Sequence, residues 1–155
     1  MMEKFSVLCV DDEIGNLDAL ERIFRSKYNV LRAESGPAAL ELLSHTAESL
    51  AVIITDQKMP EMTGVDFLER SMKSHPETVR ILLTGYTDIQ ALIDAVNKGQ
   101  IYRYMNKPWN EEELKMFVTQ AYEVFELRKE NKVLTQSLMQ ANKQLEFMLR
   151  QKLLS

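Results

Sequence analysis

The sequence predicts an α/β protein: a doubly wound five-stranded parallel sheet with helices on both faces, plus a long C-terminal helix. Three observations carry this. Short apolar runs alternate with stretches of helical periodicity in five successive βα units, and such repeats build a parallel sheet with right-handed crossovers. The central run Val52-Ile53-Ile54 is β-branched and uninterrupted, as a strand buried on both faces requires. After Trp109 there is neither Pro nor Gly to break the last helix.

The elements follow in order. Phe5–Val10 is the first strand and runs into Asp11-Asp12-Glu13. Asn16–Lys27 sets Leu17, Leu20, Ile23 and Phe24 at helical spacing. Tyr28–Ala33 is the second strand, broken by Ser35-Gly36-Pro37; Pro37 suits the first turn of the helix carrying Ala38, Leu40, Leu42 and Leu43. Leu50–Thr55 is the third strand, with Asp56 at its carboxyl end and a loop punctuated by Pro60 and Gly64 beyond. Gly64–Lys73 is helical, with Val65, Phe67 and Leu68 inward, and His75-Pro76 ends it. Val79–Leu83 is the fourth strand, stopping at Thr84-Gly85. Asp88–Asn97 is helical on Ile89, Leu92, Ile93 and Val96, with Lys98-Gly99 as its C-cap. Ile101–Tyr104 is the fifth strand, ending near Lys107-Pro108. Asn110 caps the last helix, and its opening Glu111-Glu112-Glu113 matches the positive end of the helix dipole.

With 155 residues, 45% hydrophobic and 27% charged, the chain has the makings of one globular domain with an appendage. Its net charge of −4 is uneven. From Arg128 onward six basic residues face two acids, so the tail carries +4 and the remainder −8. An acidic body suits a cation site. Cys9, the only cysteine, lies in the apolar run Val7–Val10 and reads as a buried, inert thiol. There is no signal-peptide core and no segment apolar enough to span a bilayer, so the expected setting is cytoplasmic.

Polar residues collect where the strands end. Asp11 and Asp12 follow the first strand, Asp56 the third, Thr84 the fourth and Lys107 the fifth. Right-handed winding brings these strands side by side, and ligands of open α/β sheets bind at this carboxyl edge. Three carboxylates in one cleft repel, and a hard divalent cation with oxygen ligands, Mg²⁺ first and Mn²⁺ second, neutralises them. Lys107 stays protonated beside such acids. The alternative for Asp11 or Asp12 is a cap on the first helix, for Thr84 a turn, for Tyr104 packing, and for Trp109 a staple on the last helix.

These residues resemble the receiver domain of bacterial two-component response regulators. The resemblance covers about Phe5 to Ala121 and rests on Val10-Asp11-Asp12-Glu13, Asp56-Gln57-Lys58-Met59-Pro60 with Gly64, Leu83-Thr84-Gly85 and Tyr104-Met105-Asn106-Lys107-Pro108-Trp109. It implies a flavodoxin-like fold with strand order 2-1-3-4-5. It implies that Asp56 accepts a phosphoryl group from a sensor histidine kinase or phosphotransfer protein. An ordinary carboxylate of pKa ~3.9 is ionised and nucleophilic at neutral pH, which suits the task. Asp11, Asp12, Asp56 and the backbone carbonyl of Lys58 would hold the cation, and Lys107 would neutralise the transferring oxygens. Thr84 would bond the phosphoryl group, Tyr104 would swing inward with it, and Lys107-Pro108 would be a cis peptide. The side chains of Lys58 and Tyr86 would overhang the phosphoryl group and set its lifetime, and Gly85 would leave access to it.

The sequence argues against several rivals. A haloacid-dehalogenase-like phosphatase needs a second Asp two residues after the nucleophile, where Lys58 stands. Nucleotide binding is excluded by the absence of G-x-G-x-x-G and of a P-loop. A phosphorylation-independent interaction module would not require the full acidic and basic set. The regulatory phosphoacceptor is therefore not itself the output enzyme.

The expected organisation is a receiver over residues 1–123 and a coiled-coil dimerisation and signalling helix over 124–155. Val124, Leu127, Asn131, Leu134, Leu138, Ala141, Leu145 and Met148 alternate by three and four, and Phe117 extends the series upstream. Asn131 at an a position favours two parallel strands, hence a homodimer. The chain reads as the start of a longer protein with its covalent output domain missing, and neither direct DNA binding nor membrane association is expected of it.

Overall fold

The computed structural model describes residues 5–46, 49–85, 89–98 and 100–154. β1 (Ser6–Val10), β2 (Asn29–Ala33), β3 (Leu50–Asp56), β4 (Val79–Thr84) and β5 (Arg103–Asn106) form one sheet, all parallel, in the order β2-β1-β3-β4-β5. Between and after them run α1 (Ile14–Phe24), α2 (Gly36–Leu43), α3 (Gly64–Ser71), α4 (Ile89–Asn97) and α5 (Glu111–Leu154). The chain divides into two compact units, Met1–Phe125 and Glu126–Ser155, the second carrying the rest of α5.

Side-chain alternation along the strands splits the core into two layers. Val7, Cys9, Val52, Ile54, Ile81 and Leu83 face one way and bury against Leu17, Leu20 and Phe24 of α1 and Leu114, Val118 and Phe125 of α5. Leu8, Val10, Ile53 and Leu82 face the other way, against Ala39 and Leu43 of α2, Phe67 and Leu68 of α3 and Ala95 of α4. Every residue of β3 and β4 is buried, as strands covered on both faces must be. Cys9 is fully enclosed, and burial pushes its thiol up to about 12.

Helix starts follow the local chemistry. Ser35 Oγ accepts from Ala38 N at 3.1 Å, Thr63 Oγ1 from Asp66 N at 3.2 Å and Asn110 Oδ1 from Glu113 N at 2.9 Å. α1 is the exception: its N-cap is Glu13, which makes no side-chain capping bond. Neither Asp11 nor Asp12 takes the N-cap position of α1.

Two sequence expectations shift. The fifth strand is Arg103–Asn106, two residues beyond Ile101–Tyr104. Tyr102 N donates to Arg80 O at 2.8 Å, and pairing proper begins at Ile81↔Arg103. Ile101 is buried, but in the layer under α3 and α4, so its apolarity reports core packing and not strand membership. Phe117 is also a core residue, with the Arg103 guanidinium 4.6 Å from its ring centroid, so it does not extend a coiled-coil series. Val124 packs partly buried against the same core layer. Asp88 and Gly99, expected at the ends of the fourth helix, lie outside the described residues.

Candidate functional site

The carboxyl edge of the sheet gathers the expected groups. Asp11 follows β1, Asp56 is the last residue of β3, Thr84 the last of β4, and Lys107 follows β5. One oxygen from each of Asp11, Asp12 and Asp56 lies within 4.8 Å of the others. Asp11 and Asp56 are buried, whereas Asp12 is exposed. Lys107 Nζ reaches Asp11 Oδ2 at 3.0 Å and Asp56 Oδ2 at 3.2 Å.

Three carboxylates against one ammonium leave a net charge of two negatives at this edge. Burial raises the pKa of Asp56 foremost; Lys107 pulls it down and Asp11 pushes it up, and the net shift is upward. The cost that Lys107 leaves uncompensated at Asp56 is therefore that of burial. For Lys107 burial is the largest influence and favours the neutral amine, but the two facing carboxylates together outweigh it and raise its pKa. An all-oxygen donor set with this surplus charge fits a hard divalent cation.

Backbone hydrogen bonds fix the acids. Asp56 Oδ1 accepts from Gln57 N at 2.9 Å, and Asp11 Oδ1 from Glu13 N at 2.9 Å. The loop after β3 is drawn back onto the sheet: Gly64 N donates to Gln57 O at 2.9 Å, and Gln57 Oε1 accepts from Val65 N at 2.9 Å. Thr84 is buried and its hydroxyl donates to Gly85 O at 2.7 Å, while Thr84 O accepts from Lys107 N at 2.9 Å. The Lys107-Pro108 peptide is cis.

Other expected residues lie further out. Lys58 is exposed in the loop beyond β3, and Tyr104, facing Leu82 across the β4–β5 ladder, is half exposed. Tyr86 lies outside the described residues. A Cβ on Gly85 would meet nothing within 4 Å, so packing does not demand glycine there. Trp109 packs partly against the core and, with Glu13, Asn16, Lys107 and Pro108, lines an open hollow of about 560 Å³ beside the acids. Sequence reasoning missed Asn16, whose Nδ2 donates to Asp11 Oδ2 at 3.1 Å, and Gln57. The one available signal was position: Asn16 sits in the first turn of α1, next to the acidic run.

A doubly wound sheet with three acids and a lysine converging at its carboxyl edge defines a regulatory receiver-type domain. The family model of the response regulator receiver domain matches residues 7–119, and the chain belongs to this family. It is a phosphoacceptor domain of two-component signalling. It is 42% identical over 118 residues to the hydrogenase transcriptional regulatory protein HoxA of Cupriavidus necator, covering 76% of this chain and 24% of that protein. The crystal structure of adenylate cyclase from Rhodopirellula baltica matches with TM-score 0.82 at 29% identity, over 86% of this chain and 98% of that one. A signal receiver domain of an HD domain-containing protein from Pseudomonas fluorescens Pf-5 matches with TM-score 0.77 at 32% identity, over 84% and 95%. The chain spans about a quarter of the length of the two HoxA proteins it matches. Among the described residues no helix is long and apolar enough to cross a membrane.

Proposed function

We propose that Asp56 is the phosphoacceptor, taking a phosphoryl group in the cytoplasm from a phosphohistidine on a sensor kinase or phosphotransfer protein. The observation that carries this is the single ammonium of Lys107 held between Asp11 and Asp56 at 3.0 and 3.2 Å. A carboxylate oxygen of Asp56 attacks phosphorus; the new P–O bond forms as the P–N bond to the donor imidazole breaks. Asp11, Asp12, Asp56 and the Lys58 carbonyl would hold Mg²⁺ or Mn²⁺, which supplies charge neutralisation for the transferring oxygens. Lys107 follows the charge from Asp56 to the phosphoryl group. Thr84 gives up its bond to Gly85 O and donates to a phosphoryl oxygen instead, a contact that exists only in the phosphorylated state. Tyr104 moves inward with it. Lys58 and Tyr86 shield the acyl phosphate from water, and the altered face controls a downstream output.

The test is labelling with a small acyl phosphodonor followed by mapping. One phosphoryl group on Asp56 is expected, in Mg²⁺ and not in EDTA. Full labelling in EDTA, or phosphate on another residue, would overturn the assignment.

We infer further that residues 124–155 dimerise in parallel with a second copy. Leu127, Leu134, Leu138, Leu145 and Met148 are exposed along α5, and Asn131 and Ala141 complete the alternation. Since Val124 already rests on the core, the free seam begins at Leu127. In a parallel pair Asn131 meets its own copy and both amides are satisfied; in an antiparallel pair it would be buried against an apolar residue. Sedimentation is expected to give a dimer at micromolar concentration, weakened by truncation near Arg128. Asn131→Val should alter stability or oligomer state; a monomeric wild type would end the coiled-coil reading.

A further inference from the structure

Asp11 Oδ2 carries two side-chain donors, Lys107 Nζ at 3.0 Å and Asn16 Nδ2 at 3.1 Å, while its Oδ1 accepts from Glu13 N. The two donors differ in what the reaction asks of them. Lys107 is shared with Asp56 and is wanted on the phosphoryl oxygens during transfer. Asn16 is anchored on the first turn of α1 and has no second task at the reacting atoms. Its amide orientation is fixed by its surroundings. Nδ2 also lies 3.4 Å from Glu13 Oε2, so the amide faces two carboxylates, and a carbonyl turned that way would be repelled by both. Asn16 is half-buried and lines the hollow with Glu13, Lys107 and Trp109, so it sits at the mouth of the site and not in the core.

We propose that Asn16 is a positioning residue for Asp11: it holds the carboxylate in the cation-binding orientation both before transfer and when Lys107 leaves for the phosphoryl group. This rests on the assignment of Asp11 as a metal ligand made above. Outer hydrogen bonds to metal ligands commonly govern affinity, because a ligand free to rotate must be ordered at the moment of binding. Asn16 gives Asp11 that order without adding charge to a cluster already in surplus of negatives.

The experiment is a calorimetric titration of MgCl₂ into the full chain, wild type against Asn16→Ala and Asn16→Leu, the latter keeping the shape and removing the donor. Both variants are expected to bind Mg²⁺ about tenfold more weakly than wild type, the scale of outer-shell losses. Their Tm in EDTA should stay close to that of wild type, because Asn16 is only half-buried. Phosphodonor labelling should slow at limiting Mg²⁺ and recover at saturating Mg²⁺. Unchanged Mg²⁺ affinity in both variants would overturn the proposal, as would a labelling defect that persists at saturation. A wild type that takes up no Mg²⁺ would instead bring down the metal reading itself, and this inference with it.

Discussion

Asp56→Asn is expected to lose phosphoryl acceptance completely and to keep, or slightly raise, the Tm. The amide has nearly the shape of the carboxylate but no nucleophilic oxygen anion. The sign of the stability effect follows from the upward shift of Asp56, caused first by burial. An acid whose native pKa lies above its unfolded value costs stability when ionised. That cost is absent below the ordinary carboxylate range and fully present once pH exceeds the raised native value. At neutral pH the neutral Asn removes it, and also removes one of three mutually repelling acids. The loss of the 3.2 Å contact with Lys107 works against this, but Lys107 keeps Asp11 as a partner. Donor labelling and a thermal melt, both with and without Mg²⁺, check the two halves. A marked fall in Tm would show that Asp56 supports the fold and does not strain it.

Gly64→Ala is expected to damage both stability and phosphorylation. A Cβ at this position would stand 2.2 Å from the backbone oxygen of Asp56 and 2.9 Å from Leu82 Cδ1. A leucine methyl can yield; a strand carbonyl cannot without moving the peptide of Asp56. Overpacking of this kind costs roughly 1–3 kcal/mol, and more where backbone must shift. The Tm should fall by several degrees, and labelling of the surviving fold should slow because Asp56 is displaced from Lys107. Gly15→Ala is the internal contrast. Its Cβ would meet nothing within 4 Å and it lies in α1, so the helix preference for Ala should stabilise by up to ~1 kcal/mol. Equal effects at the two glycines would remove the steric argument.

The groups at the strand ends were legible because a parallel sheet converts sequence position into place. Once Val52–Ile54 reads as a buried strand, Asp56 must sit at its carboxyl edge, and the same logic places Asp11, Thr84 and Lys107. Less legible was anything set by partners distant in sequence. Ile101 is apolar for a helix-covered layer, and only the β4–β5 register shows that the strand starts at Arg103. Arg80 looks like a misfit in a buried strand. Its guanidinium donates to Ser71 Oγ at 2.9 Å and to the carbonyls of Thr78 and His75, a set of acceptors no pattern of hydropathy announces. The parts played by Asn16 and Gln57 were hidden for the same reason: the acceptor facing Asn16 Nδ2 and the Val65 N–H facing Gln57 Oε1 are specified by geometry and not by spacing. On α5 the three-four alternation runs on through Phe117 and Val124, but the core takes these two, so periodicity alone cannot say where one packing task hands over to another.

The groups proposed to react come from the ends of four different strands, and the Lys107–Asp11 contact joins residues 96 apart in sequence. No hairpin, half-sheet or single βα unit contains even a crude version of the site. Contacts of such long range form only after the intervening chain has been ordered. A nascent or partly unfolded copy that exposes Asp56 offers neither the lysine nor the paired acids beside it. On the proposed function, competence to take a phosphoryl group therefore arrives only with the completed sheet.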